Sequence, residues 1–158
     1  MNTPTTKLPT INQVSKKYSL FQFKKSDAFY WAPEYSCINY IENSLFSKKG
    51  WFQLFHELGH AVCGHQTFSS GVQLLKIEAE AWHKAIELAD SYGVVITSAY
   101  IQAALDSYRD WLHQRSLCPQ CSVVSVETKP SHYHCFKCAQ IWTVPVHQQT
   151  RSYRKRTK

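Results

Sequence analysis

Trp51-Phe52-Gln53-Leu54-Phe55-His56-Glu57-Leu58-Gly59-His60-Ala61-Val62 is the stretch on which the reading of this chain turns. Trp51, Leu54, Phe55, Leu58 and Val62 recur every three or four residues, the period of one face of an α-helix. The helix is expected to begin near Lys49, and Gly64 supplies a stop. His56 and His60 are four residues apart, so a helix sets both imidazoles on one face about one turn apart. Two imidazoles so placed suit a zinc ion at about 2.0–2.1 Å. Glu57 leans over the same edge, where a carboxylate can take a proton from water. Zinc lowers the pKa of its water to about 7, so a carboxylate suffices as general base. A catalytic zinc needs a third protein ligand, with the fourth position left to water.

Working outward, Thr67 to Gly71 reads as a loop. A second helix is expected from about Val72 to Ser91, ended by Gly93. A third is expected from about Ser98 to Gln114, with Thr97 as its N-cap. Ile101, Ala104, Leu105, Tyr108, Trp111 and Leu112 form one face of that third helix. The third ligand is sought on the second helix, where Glu78 and Glu80 are the candidates. Glu78 shares a stripe with Ala81, Trp82, Ala85 and Ala89, whereas Glu80 shares one with His83, Lys84 and Glu87. Periodicity therefore favours Glu78 as the inward residue.

His56 to His60, followed about twenty residues later by Glu80-Ala81, resembles the gluzincin arrangement of thermolysin-like peptidases. The segment Glu78-Ala79-Glu80-Ala81 more closely resembles the E-x-E-A stretch of the ImmA/IrrE metallopeptidases. Those are small bacterial and phage-associated enzymes with a strand hairpin, an HExxH helix and a Glu-bearing helix. The resemblance covers about residues 29–92. It implies a zinc peptidase with His56, His60 and Glu80 as ligands and Glu57 as the base, and Glu78 remains the alternative third ligand. The chain departs from that pattern at Trp82 and His83, where the family has Asn and then an apolar pair.

His65 lies five residues past His60, or 500° around a continued helix, so it is expected at the surface. His83 and His113 are weighed as outer-sphere or transition-state donors and Tyr108 as an oxyanion donor. Ordinary packing or surface exposure is the simpler reading for each. Residues 1–18 read as a flexible lead-in. Aromatic and β-branched runs at Phe21 and Phe23, at Phe29 to Trp31 and at Cys37 to Tyr40 read as short strands, with a hairpin around Pro33 to Ser36. A strand near Ser36 to Tyr40 is expected to bind a substrate backbone by edge pairing.

Cys118-Pro-Gln-Cys121 and Cys135-Phe-Lys-Cys138 are two CxxC pairs with thirteen residues between them. Each turn places two thiolates on one ion, and two turns complete a tetrahedral site. With Val123, Val124, Val126, Tyr133 and Ile141 to Val144 read as strands, the segment resembles a zinc ribbon. About thirty residues cannot build an adequate core, so the metal is expected to supply the folding energy. His132 and His134 are assigned to the surface. Cys37 and Cys63 are expected as small buried residues.

The expected fold is α+β. A short N-terminal β-hairpin or sheet packs on the HExxH helix and two further helices, and a small β-rich zinc ribbon follows. The boundaries are 1–18 for the lead-in, 19–116 for the metallopeptidase domain, 117–146 for the ribbon and 147–158 for a basic tail. The chain of 158 residues carries +7, but His147 to Lys158 hold five basic residues and no acid. Removing them leaves +2, so the folded part is nearly neutral.

The first 15 residues lack the basic start and apolar run of an export signal, and no stretch approaches the ~18 apolar residues of a membrane span. A cytoplasmic protein without a membrane partner is expected, and with reduced thiols the four cysteines of the CxxC pairs read as metal ligands. The partner is expected to be a protein or peptide substrate. A peptidase domain joined to a ribbon is also similar in architecture to the SprT-like proteases, which act on DNA-bound proteins. Arg151, Arg154, Lys155 and Arg156 are therefore candidate phosphate contacts, with Tyr153 able to stack on a base. The competing function is a nucleic-acid- or protein-binding zinc module without catalytic activity. Two zinc ions are expected, one catalytic and one structural.

Overall fold

The computed structural model describes residues 7–145, together with the backbone of residues 155–156. The fold is α+β, as the sequence leads one to expect. It divides by internal contacts into two compact units: Met1–Gln66 with Ile77–Ile101, and Thr67–Lys76 with Gln102–Lys158.

In the first unit, α1 (Ile11–Lys17) lies inside the stretch expected to be a lead-in. Thr10 and Gln13 form a capping box: the Thr10 hydroxyl accepts from the Gln13 amide, and the Gln13 side chain accepts from the Thr10 amide. Val14 is fully buried and fastens the helix to the unit. Three strands follow, β1 (Gln22–Lys25), β2 (Tyr30–Ala32) and β3 (Cys37–Tyr40), in the sheet order β1-β3-β2. β2 and β3 form the expected antiparallel hairpin, turning through a short 3₁₀ segment at Pro33–Tyr35, while β1 pairs β3 in parallel. β3 is thus the central strand and is buried at all four positions. Its backbone is paired on both sides, so it cannot add a substrate strand; the open edges of this sheet are β1 and β2. That corrects the edge-pairing expectation for residues 36–40.

The sheet packs on α2 (Lys48–Cys63), which carries the HELGH motif. Ser47 caps its start by accepting from the Gly50 amide, and Gly64, with φ 69°, ends it. Trp51, Leu54, Phe55 and Leu58 are buried as the periodicity requires, but Val62 is exposed and Ala61 takes its place in the core. Cys63 is exposed as well, contrary to expectation, whereas Cys37 is buried. α3 (Gly71–Asp90) sets Ala81, Trp82, Ala85 and Ala89 inward. α4 (Ser98–Ser116) starts at Thr97, whose hydroxyl accepts from the Tyr100 amide. No helix among the described residues is long and apolar enough to cross a membrane.

The second unit contains β4 (Val126–Lys129), β5 (His132–His134), β6 (Ile141–Thr143) and β7 (Lys155–Arg156), an antiparallel sheet in that order. Its small core is Cys118, Tyr133, Cys135, Trp142 and Val144. Trp142 stacks on Tyr133, and its indole N–H donates to the carbonyl of Arg115 at the end of α4. Arg115 is only 2% exposed, with its guanidinium laid over Trp111. The expected tail therefore contributes backbone to a sheet at residues 155–156. Arg151, Tyr153 and Arg154 lie outside the described residues, as do the side chains of Lys155 and Arg156.

Candidate metal centres

α2 presents His56 and His60 on one face, with their Nε2 atoms 3.1 Å apart. α3 brings Glu78 against both. Glu78 Oε2 is 3.0 Å from His56 Nε2, and Oε1 is 3.4 Å from His60 Nε2. All three side chains are buried, and together they could hold a metal ion. This approach needs Gly59, because a Cβ there would run into the carbonyl oxygen of Ala81, one turn beyond Glu78. Trp82 stacks on the His56 ring at 4.1 Å between centroids and so helps to orient that ring.

The carboxylate brought to the histidines is thus Glu78, and not Glu80, the residue implied by the family resemblance. The Glu78 side chain is 8% exposed and that of Glu80 48%. Two residues along a helix amount to about 200°, so the two carboxylates cannot face the same way. The apolar stripe Ala81, Trp82, Ala85 and Ala89 decides which one turns inward.

Electrostatics within the cluster are strong. Burial works against a charged Glu78, but its bonds to His56 and His60 outweigh that cost and hold its pKa at about 2. Burial likewise opposes a charged His60, yet the Glu78 bond and the nearby charges of Glu78 and Glu57 push its pKa up. A buried carboxylate that stays ionised and faces two imidazole nitrogens is a site arranged for positive charge.

Glu57 does not join this group. Its Oε2 accepts from the backbone amide of Trp31 on edge strand β2, at 2.9 Å. Trp31 has a second task, since its indole Nε1–H donates to the carbonyl of His65 at 2.8 Å. Nothing in the sequence pattern marks Trp31, because the first bond belongs to its backbone and the partners are 26 and 34 residues away.

His65 is not at the surface position that helical extrapolation gives. The helix ends at Gly64, whose amide bonds the Ala61 carbonyl while the His65 amide returns to the His60 carbonyl. This double closure folds the chain back over the last turn. His65 Nδ1 then lies 2.9 Å from His60 Nδ1, and His65 Nε2 lies 3.2 Å from Glu80 Oε2. The signal that could have found it is Gly64 itself, a helix-ending glycine one residue before a histidine.

Of the other candidates, His83 is exposed and pairs with Glu87. His113 lines a hollow of the second unit with Leu112 and Tyr133. Tyr108 is half-buried on α4.

The second cluster joins Cys118, Cys121, Cys135 and Cys138, which could also hold a metal ion. None is in a disulfide. Cys118 and Cys138 sulfurs are 3.5 Å apart, and those of Cys121 and Cys135 are 3.6 Å apart. The two CxxC turns are built alike. Ser122 and Ala139, each just past the second cysteine, take left-handed φ values of 58° and 60°. Their amides return to the Cys118 and Cys135 carbonyls at 2.9 and 2.8 Å. Burial opposes a Cys135 thiolate, but the amides of Cys138 and Lys137 and the Ser125 hydroxyl overcome it and draw its pKa to about 6. His132 and His134 are half-buried on β5 and stand outside the sulfur cluster.

Comparison with known families, curated proteins and solved structures finds no match.

Proposed function

We propose that the chain is a zinc-dependent peptidase whose catalytic ion sits on His56, His60 and Glu78 and whose general base is Glu57. The observation that carries this reading is the division of labour on one helix. His56 and His60 converge with Glu78, while Glu57 between them is held apart from that set by the Trp31 amide. A purely structural zinc site closes with four protein ligands, whereas a catalytic one keeps a position open. Here three protein ligands meet, and a carboxylate stands beside them.

Zinc suits both groups of donors. A tetrahedral ion with bonds of about 2.0–2.1 Å sets neighbouring nitrogen or oxygen ligands about 3.3–3.4 Å apart. The His56, His60 and Glu78 separations of 3.0–3.4 Å lie close to this. For four thiolates at about 2.3 Å the corresponding edge is about 3.8 Å, beside the 3.5 and 3.6 Å separations of the cysteine sulfurs. The four-sulfur group is then the closed, structural site.

Zinc supplies Lewis acidity when bound, acidifying a water and polarising a peptide carbonyl. Glu57 would take a proton from the attacking water and pass it to the departing amine. The Trp31 amide orients the Glu57 carboxylate for both transfers. The ImmA/IrrE resemblance supports this reading through the HELGH helix and the Glu-bearing helix after it.

The test is Glu57→Gln. The variant is expected to hold as many zinc ions as wild type and to lose cleavage of a mixed fluorogenic peptide library by several orders of magnitude. Wild-type rates from Glu57→Gln refute the mechanism. Cleavage by neither protein, with salt-sensitive retention on a mixed oligonucleotide column, would favour the binding-module reading instead.

A further inference from the structure

We propose that His65 and Glu80 form a positioning chain behind His60, fixing the tautomer and ring orientation in which His60 offers Nε2 to the metal. The inference rests on the metal-site reading above.

The argument follows the protons. His60 Nε2 is the nitrogen that faces His56 and Glu78, at 3.1 and 3.4 Å. A neutral imidazole with its lone pair at Nε2 carries its hydrogen on Nδ1. His60 Nδ1 lies 2.9 Å from His65 Nδ1, so His65 must accept there. A neutral His65 accepting at Nδ1 has its own hydrogen on Nε2. That atom faces the Glu80 carboxylate at 3.2 Å. Each donor meets an acceptor, and the chain ends on an acceptor-only group. With the opposite tautomer at His65, two N–H groups would confront each other at Nδ1 and Glu80 would face a lone pair.

His65 is held in this place by more than its ring. The Gly64 closure folds its backbone over His60, and the Trp31 indole grips its carbonyl. Its side chain is 9% exposed, so water competes little for these bonds. His56 has no such chain. Its Nδ1 is buried without a hydrogen-bond partner among the described residues, and stacking on Trp82 orients it instead. The two glutamates of Glu78-Ala79-Glu80 thus serve the same site at different removes: Glu78 turns in to the metal, and Glu80, on the outer side of α3, reaches it through His65. Partners at this remove tune metal affinity by about 10- to 100-fold.

The experiment uses the full-length, zinc-loaded protein. Long-range ¹H–¹⁵N spectra of the histidine rings should show hydrogen on His60 Nδ1 and on His65 Nε2; hydrogen on His65 Nδ1 overturns the proposal without any variant. Zinc affinity is then read by competition with a chromophoric chelator, the ribbon ion serving as a check that the chain is folded. His65→Phe should weaken the first site by about 10- to 100-fold. His65→Gln should restore most of the loss, because its amide can accept from His60 and donate to Glu80. Wild-type affinity in His65→Phe, or equal weakness in both variants, overturns the chain. His56→Ala separates the two ideas. If it loses one zinc ion while His65→Phe binds normally, only the chain falls. If it keeps every ion of wild type, the metal reading fails and takes the chain with it.

Discussion

Gly59→Ala probes the packing that makes the candidate site. The added Cβ would be driven into the carbonyl oxygen of Ala81 and would crowd that residue's carbonyl carbon at 3.2 Å and Cα at 3.4 Å. All three are helix backbone, which cannot swing aside as a side chain tip could. Relief requires α2 and α3 to part locally by on the order of 1 Å, a small-to-large change in a close-packed interior. Such changes cost about 1–3 kcal/mol. With an m-value of about 2 kcal/mol/M, the urea midpoint should fall by roughly 1 M. The effect on metal should be steeper. Glu78 is one turn from Ala81 on the displaced helix, and metal–ligand distances tolerate only about 0.2 Å. Zinc analysis of the purified variant should find the four-cysteine ion retained and the first ion lost. A Gly59→Ala protein that binds both ions and unfolds at the wild-type midpoint would refute the argument that this glycine brings Glu78 to the histidines.

Other substitutions address separate parts of the structure. Glu78→Ala should remove one zinc ion by elemental analysis, whereas Glu80→Ala should keep two with the first more weakly held; the reverse pattern would restore the family-based assignment of Glu80. Cys118→Ser, or a strong chelator, should remove the ribbon ion and with it the near-ultraviolet dichroism of Trp142 and Tyr133. Metal binding supplies on the order of 10 kcal/mol to folding units of this size. Ala139→Gly should raise the thermal midpoint of the zinc-loaded ribbon, since a left-handed conformation costs an L-residue about 1 kcal/mol and glycine almost nothing. A lowered midpoint would show that the Ala139 methyl contributes more than its backbone strain.

Much of this arrangement is legible in the sequence because it repeats at short range. The α2 period, the Gly64 stop, the Thr97 cap, the Pro33 turn and both CxxC turns are local patterns with local causes. The carboxylate that meets the two histidines was legible too, in the stripe that Glu78 shares with Ala81, Trp82, Ala85 and Ala89. Spacing borrowed from a resemblance pointed two residues further on, where the helix faces outward. Thr10 and Gln13 were a readable capping box whose significance is masked by the polar residues around it. What no local pattern carries is the return of His65 onto His60 and the reach of Trp31 to Glu57. The first depends on a helix ending rather than continuing. The second depends on a strand and a helix meeting across 26 residues through a backbone atom.

Trp31 shows what that last distinction means for anyone who maps this site by mutation. Its indole bond to His65 disappears in Trp31→Phe and would register in any scan. Its amide bond to Glu57 survives every replacement except proline, because the donor belongs to the main chain. A residue-by-residue survey of side chains would thus credit Trp31 with half of what it does and pass over the group that holds the Glu57 carboxylate. Only a change to the backbone itself, such as an ester in place of that one amide, would make the other half visible.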